Sequence, residues 1–574
     1  MVSKITLLCT VCQFWALLNL FSSPLLAQTP FPDVIRPDRP EPPKLPKPKL
    51  PPPEDLLVPP SKPPIYTPTP EAVPKKITVK RFEVTGNTVL SKKELDKILA
   101  PNVGRSLPAA ELFQVPYAIT QLLVEKGYIT SGALIPPQTI KNGVVRIQVV
   151  EGGLEAINVT GTRRLRSKYI SSRLPTTQPL NQKRLLQVLQ LLRLNPLIQN
   201  ISAELATGTR PDLSILNVQV QEAKSFTTQA QADNGRSPSV GTFRRSVGFT
   251  EANLLGLGDG ISLTYSNTDG SNGIDGSYTL PINSRNGTIS LSAGFNDSDV
   301  IEEPFNALDI IGNSRYYELT LRQPVVQTPS SEFTFGITAA RLESNISSDV
   351  LEAVGYPISL LSPGADEEGR TKVSAIRFFQ EWSNRNSRQV IAARSQFSLG
   401  VGAFDATVND NGPDSRFLSW QGQAQWVRQL ARDTIFLVRT NVQLTDGALV
   451  PLEQLGLGGQ ESVRGYRQDA LLTDNGIFAS AEFRLPIYRN LDQQLILQLT
   501  PFADFGTGWG SESFNDPNDS NSDTLASVGL GLRFELGSRL TARLDWGIPL
   551  IDIDARGKTW QEKGVSVYFN YSPF

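Results

Sequence analysis

From Phe226 to Phe574 the chain alternates apolar and polar residues with a period of two and carries almost no helical signal. Such alternation is typical of β-strands that shield one face only. Sixteen candidate strands start near residues 226, 245, 259, 275, 287, 314, 331, 372, 389, 415, 433, 475, 493, 525, 540 and 564. A membrane β-barrel and a soluble β-sandwich both satisfy this pattern.

The connections between the candidate strands favour the barrel. Those after even-numbered strands are tight, as at Ser284–Asn286 and Gly537–Arg539, whereas those after odd-numbered strands include 346–371, 447–474 and 507–524. Short turns on one side and long loops on the other are typical of outer-membrane barrels. A sandwich does not require this regularity.

The two faces of the strands can be assigned from the alternation. On the thirteenth strand, Asp504 belongs to the polar face, opposite Leu495, Leu497, Leu499, Pro501, Ala503 and Phe505. The charges of the neighbouring strands share the polar phase: Glu482, Arg484, Arg533, Glu535, Arg543 and Asp545. Because an Arg or Lys facing lipid near the bilayer centre costs about 2–4 kcal/mol, we expect these side chains to face a lumen.

Residues 1–27 have the features of a secretory signal peptide: Lys4, an apolar run from Ile5 to Phe21, and Ala27 at the expected cleavage point. Both cysteines, Cys9 and Cys12, lie in this segment, and the chain contains no histidine. Catalytic triads and zinc sites that depend on histidine are therefore excluded. We expect neither an enzyme nor a cofactor or metal, and the net charge of -1 gives no reason to expect nucleic acid as a partner.

The segment 28–76 is rich in proline, with 18 prolines between residues 30 and 74. Such composition predicts an extended, disordered linker without a core of its own. A docking motif for a partner is the alternative.

An internal repeat precedes the alternating region. Phe82–Asn87 (FEVTGN) is followed about 75 residues later by Ile157–Thr162 (INVTGT). In the first copy Ser91 caps a predicted helix over 92–99 and a second helix covers 109–126, whereas in the second copy Asn181 caps a helix over 182–194. The order strand, helix, helix, strand, strand occurs twice, which predicts two small α+β domains at 77–152 and 153–224, before a barrel domain at 225–574.

Three motifs now identify a family resemblance. The long connection after the eleventh strand carries Val463–Tyr466 (VRGY), the thirteenth strand carries Phe502–Gly506 (FADFG), and the barrel opens with Asp233–Gly235 (DNG) and Asn253–Asp259 (NLLGLGD). With the tandem repeats, this chain resembles the two-partner secretion transporters of the haemolysin secretion and activation family. These carry polypeptide-transport-associated (POTRA) domains before an outer-membrane barrel of sixteen strands.

The resemblance implies a latch between the sixth surface loop and the barrel wall. Its residues would be Val463, Arg464, Gly465 and Tyr466 of the loop, and Phe502, Asp504 and Gly506 of the wall. Arg464 would contact Asp504 in a lumen open to water; the alternative is that Arg464 is an exposed loop residue without a partner.

The resemblance also implies the partners. POTRA domains of the family capture an unfolded exoprotein in the periplasm, and addition of the client as a strand to a sheet edge would provide the contact. The alternative is that one of the two domains is only a spacer. No nucleotide is expected to drive transport. We further expect a monomer in the lipid bilayer of the outer membrane.

The last strand suggests how the barrel itself is assembled. Phe569, Tyr571 and Phe574 resemble the C-terminal signal that outer-membrane assembly machinery recognises. Many family members begin with a helix that plugs the barrel, yet 28–76 shows no amphipathic helix. A barrel-assembly insertase or envelope import channel is the alternative function within the superfamily, and a passive porin is the alternative of a different class.

Overall fold

The computed structural model describes residues 56–58, 76–210, 212–410, 412–511, 523–553 and 559–573. The predicted signal peptide, most of the proline-rich segment and Phe574 lie outside these residues. No helix in the described ranges is long and apolar enough to cross a membrane.

The alternating region forms a closed antiparallel barrel of sixteen strands, which confirms the predicted fold class. The barrel strands are β10 (Phe226–Asp233), β11 (Arg244–Glu251), β12 (Gly260–Asn267), β13 (Ser271–Pro281), β14 (Thr288–Asp299), β15 (Ile310–Gln327), β16 (Ser331–Ser348), β17 (Arg370–Arg385), β18 (Gln389–Val401), β19 (Leu418–Ala431), β20 (Thr434–Thr445), β23 (Asn475–Asn490), β24 (Leu495–Trp509), β25 (Asp523–Leu536), β26 (Leu540–Pro549) and β27 (Val565–Tyr571). β27 pairs with β10 and closes the cylinder.

The two faces of the strands follow the predicted phase. On β24, Gln498, Thr500 and Asp504 point into the barrel and are buried, whereas Val528 and Leu530 of β25 are exposed on its outer surface. An apolar exterior and a polar interior are what a bilayer requires of a barrel.

The alternation of short turns and long loops holds with two exceptions. The connection 268–270 after β12 has only three residues, although it follows a strand expected to precede a long loop. The turn 252–259 after β11 has eight residues because it packs against the preceding domain: Arg164 Nη1 lies 2.9 Å from Glu251 Oε2, and the Arg166 N–H donates to the Gly256 carbonyl.

On the loop side, strands β15 to β17 extend beyond the apolar belt. Outward side chains of β16 change from Phe335 and Ile337 to Arg341 and Glu343, while the inward Leu342 and Ile346 stay apolar and buried. They form one cluster with residues of several surface loops, here called the apolar cap: Val240, Val300, Leu308, Leu351, Ile358, Leu361, Phe417, Leu449, Val450 and Leu452. The short helix Asp349–Ala353 belongs to this cap through Leu351.

Two small α+β units precede the barrel. The first contains β2 (Ile77–Thr78), β3 (Arg81–Thr85), α1 (Lys92–Leu99), β4 (Ser106–Leu107), α2 (Ala109–Glu125), β5 (Gly132–Leu134) and β6 (Val144–Val150). The second contains β7 (Gly153–Thr160), α3 (Ser167–Ser171), α4 (Gln182–Arg193), β8 (Ile198–Thr207) and β9 (Leu213–Glu222). Their main sheets have the strand orders β3–β6–β5 and β7–β9–β8, so the first, last and middle strands of the two units occupy equivalent positions and the units share one topology.

Local capping explains where two of these helices begin. The Glu94 carboxylate accepts hydrogen bonds from the Ser91 N–H and Oγ ahead of α1. Its hydrogen bond with Lys126, followed by those from Ser91, lowers the pKa of this carboxyl to about 2. The Asn181 Oδ1 accepts from the Lys183 and Arg184 N–H groups at the start of α4.

The proline-rich segment contains an ordered strand, which corrects part of our prediction for 28–76. β1 (Leu57–Val58) pairs in parallel with β8, with Leu57 opposite Ala203, and the Ala203 N–H donates to the Leu56 carbonyl. Leu56 and Leu57 are buried in the core of the second unit. Two adjacent leucines therefore give this part of the linker a core contact that its proline content did not predict.

Candidate functional site: the sixth loop and the barrel wall

The sixth surface loop, residues 446–474, folds back into the barrel. Its two limbs form a short hairpin, β21 (Leu455–Leu457) and β22 (Leu471–Thr473). Leu455 and Leu457 join Val463 and Tyr466 in an apolar cluster with Phe478 and Leu525 of the wall. The apolar side chains of the hairpin thus hold the loop tip against strands β23 to β25.

Arg464, at the loop tip, has no exposed side-chain surface and makes a dense set of contacts with the wall. Its Nε lies 2.7 Å from Asp504 Oδ2 and its Nη2 lies 2.9 Å from Asp504 Oδ1, a two-point grip on one carboxylate. The Arg464 backbone N–H also donates to Asp504 Oδ2, at 3.1 Å. The planar guanidinium is suited to this geometry, whereas a lysine offers only a point charge.

A second carboxylate and an aromatic ring complete the surroundings of Arg464. Nη1 lies 2.7 Å from Glu482 Oε2, and the guanidinium carbon lies 3.5 Å from the centre of the Phe502 ring. Ser480 Oγ donates to Asp504 Oδ1 at 2.6 Å. We call Arg464, Asp504, Glu482, Ser480 and Phe502 the latch site. It is closed to solvent, not open to water as expected from the sequence.

The charges around the latch site are balanced. Glu482 also pairs with Arg484 at 2.9 Å and lies 4.0 Å from Arg543. Arg543 in turn pairs with Asp545. Three guanidinium groups and three carboxylates therefore share this part of the lumen. Buried charges persist when they are paired in this way, and removing one partner leaves an uncompensated charge.

The other predicted motif residues also lie at the loop–wall contact. The Tyr466 hydroxyl lies 2.8 Å from the carbonyl oxygens of Ala526 and Ile551. Gly465 adopts φ +96° while passing the Gly547 backbone, a conformation that favours glycine. A Cβ on Gly506 would lie 2.8 Å from Val463 Cγ2, so the absent side chain makes room for Val463. The structure thus brings together all seven predicted motif residues.

Sequence reasoning missed Glu482 and Ser480 as partners of Arg464. Glu482 was assigned to the polar phase, but its position beside Arg464 depends on the register in which Ser480 faces Asp504 across β23 and β24. The alternation gives the face of a strand and not its register. The only sequence signal for Glu482 was its place on the inward face of β23, the strand that precedes β24 in the chain.

Phe569 and Tyr571 lie on β27 with outward, exposed side chains, and the described ranges do not include Phe574.

In the described ranges, no cluster of three or more acidic, histidine or cysteine side chains could hold a metal ion.

Comparison with known proteins gives the family. The model of the haemolysin secretion/activation proteins ShlB/FhaC/HecB matches residues 212–355 and 366–534, more than half of the chain. The ShlB-type POTRA domain model matches residues 77–152. The chain belongs to the haemolysin secretion/activation family.

Individual relatives agree. The heme/hemopexin transporter protein HuxB of Haemophilus influenzae is 25% identical over 461 residues, which cover 76% of this chain and 77% of that protein. The outer membrane transporter CdiB of Escherichia coli is 24% identical over 511 residues, covering 86% and 82%. The solved structure of CdiB from Escherichia coli superposes with a TM-score of 0.64 at 20% identity, covering 89% of this chain and 93% of that chain, and shows the same fold.

Membership of the haemolysin secretion/activation family confirms the predicted function class and location. The chain is an outer-membrane transporter of the two-partner secretion type, with a sixteen-strand barrel and periplasmic POTRA domains.

Proposed function

We propose that the chain captures one unfolded exoprotein through its POTRA domains and exports it through the barrel lumen, with the sixth loop as a latch that is released during export. Nucleotide hydrolysis takes no part. The observation that carries the proposal is the complete burial of Arg464 between Asp504 and Glu482, inside the space that a client would cross.

The latch occupies the lumen together with the apolar cap. Leu449 and Val450, at the start of the sixth loop, are buried in the cap, while Arg464 at its tip is held by the wall. A polypeptide in the lumen would compete for the same space. The resting structure is therefore a closed state, and the ion pairs at the tip set how readily the loop leaves.

Capture of the client is proposed to use strand addition at a sheet edge. The β8 edge of the second POTRA unit already accepts a strand, because β1 pairs there with Ala203 and Glu204. The corresponding edge strand of the first unit, β5, is only three residues long, and its Ala133 N–H donates to Thr120 Oγ1 of α2. The β8 edge, from which a client strand would displace β1, is thus the better candidate.

The latch is tested by Arg464→Ala and Asp504→Ala. Arg464→Ala leaves Asp504 without its charge partner, and Asp504→Ala leaves Arg464 with Glu482 alone. Breaking a buried pair costs about 3–5 kcal/mol, so we expect the tip to leave its seat before a client arrives. The loop would then lie unheld in the space that the client must cross, and export of the exoprotein should fall at least about tenfold. The measurement is the amount of exoprotein in the medium, with barrel insertion checked by the resistance of the folded barrel to heat in gel electrophoresis.

Arg388→Ala is the matched control, because Arg388 is exposed in a turn on the periplasmic side. It should export at the normal rate. Normal export by both latch variants, with the barrels inserted, would show that the ion pair has no role in transport.

A further inference from the structure

The closure of the barrel between its first and last strands has the fewest backbone pairs of the described barrel contacts. β10 and β27 share four register pairs, from Ala230–Tyr571 to Asp233–Tyr568. The flanking contacts are longer, with eight pairs between β10 and β11 and seven between β26 and β27. We call the β10–β27 contact the seam.

Asn234 continues the seam beyond its last strand pair, with both its backbone and its side chain. The Asn234 N–H donates to the Val567 carbonyl at 3.2 Å. The Asn234 amide then acts as a further peptide group: Oδ1 accepts from the Val567 N–H at 2.7 Å, and Nδ2 donates to the Val565 carbonyl at 2.9 Å. The outer end of the seam therefore depends on the position of residue 234.

Gln561 holds this position and contacts the sixth loop at the same time. Its Nε2 donates to the carbonyl oxygens of Asn234 and, at 2.7 Å, Arg236. Its Oε1 accepts from the backbone N–H of Gln468, at 2.9 Å. Two carbonyls at one end and an N–H at the other match the single donor and acceptor ends of an amide. Gln561 is only 5% exposed, so water does not replace these partners.

A buried arginine strengthens the same junction. Arg467 Nη2 lies 2.7 Å from Glu302 Oε2 of the loop between β14 and β15, and Nη1 lies 3.3 Å from Glu562 Oε1. The limb of the sixth loop that follows the latch is thus fixed to the residues beside Gln561. This second anchor is separate from the latch site, whose partners lie on β23 and β24.

We propose that Gln561 is a positioning residue that couples the seat of the sixth loop to the closure of the seam. If the loop withdraws, the Gln468 N–H leaves Gln561, and the buried amide loses the contact that holds it against the carbonyls of Asn234 and Arg236. The outer end of the seam then loses its support. Loop release and loosening of the seam are accordingly one event, whichever exoprotein is carried.

The test is Gln561→Glu, which keeps an acceptor for the Gln468 N–H but replaces the donor to the two carbonyls with an oxygen. Hydrogen exchange is measured on the full-length protein in lipid nanodiscs. We expect exchange to become about tenfold faster both in 565–571 of the seam and in 463–468 of the loop. Gln493→Glu, at an exposed glutamine in the turn after β23, is the matched control and should change neither segment.

A disulfide across the seam distinguishes coupling between loop and seam from local disruption around residue 561. Ala232 and Phe569 face each other in register, and the chain's only cysteines lie in the predicted signal peptide, so Ala232→Cys with Phe569→Cys can pin the seam. When this disulfide is added to the Gln561→Glu variant, the hydrogen-exchange rate in 463–468 should fall back towards the wild-type rate.

Faster exchange in only one of the two segments, or loop exchange that stays fast in the pinned protein, would overturn the coupling. If Gln561→Glu does not give a heat-resistant barrel, Gln561→Asn, which shortens the reach by one methylene, is judged by the same criteria. The result is independent of the latch experiment, because it is read from exchange rates and not from export.

Discussion

At the residue scale, the latch site shows why the two motifs contain the residues they do. Arg464 is the largest fully buried side chain of the described chain, and its charge is balanced by Asp504 and Glu482. Phe502 offers a ring face to the guanidinium. The glycines provide space: Gly465 lets the tip pass the Gly547 backbone, and Gly506 admits Val463.

Gly506→Ala should therefore loosen the loop without removing a charge. Its added Cβ would approach Val463 Cγ2 to 2.8 Å and Leu457 Cδ2 to 3.3 Å, and overpacking of this kind costs about 1–3 kcal/mol. We expect hydrogen exchange in 463–466 to rise about tenfold. Gly510→Ala is the control, because a Cβ there meets nothing within 4 Å; equal exchange in the two variants would show that Gly506 does not make room for the tip.

At the element scale, the edge strand β8 is the candidate site of client capture. A photoreactive residue at the exposed position Glu204, which pairs with β1, should crosslink the exoprotein trapped during export, because a client strand that displaces β1 would lie along this edge. The same probe at Asn158, exposed on β7 at the opposite edge of the sheet, is the control. Crosslinking that is stronger at Asn158 than at Glu204 would assign capture to the other edge.

The elements that the sequence predicts well are those with a local physical cause. Capping by Ser91 and Asn181 places the starts of α1 and α4, and the alternation gives the strands of the barrel and the inward face of Asp504. Features that depend on distant contacts were not predicted: the strand β1, which exists only because β8 offers an edge, and the place of Glu482 beside Arg464, which depends on strand register.

At the scale of the whole molecule, the sixth loop links three parts of the barrel. Its first limb is buried in the apolar cap through Leu449 and Val450, its tip is held by Arg464 at the wall, and its second limb meets Gln561 beside the seam. The end of β11 and the turn 252–259 additionally tie the second unit to the barrel, through the Arg164–Glu251 ion pair and the hydrogen bond from the Arg166 N–H to the Gly256 carbonyl. A client bound by the POTRA domains would thus lie next to a lumen that the sixth loop occupies together with the apolar cap.

The central claim, export of one exoprotein, is tested most directly by removing the gene for this chain and comparing the proteins of the culture medium and the outer membrane. We predict that one large secreted protein disappears from the medium and returns with the wild-type gene, while other outer-membrane barrels keep their normal amounts. Loss of many unrelated barrels, with no secreted protein specifically affected, would contradict the account.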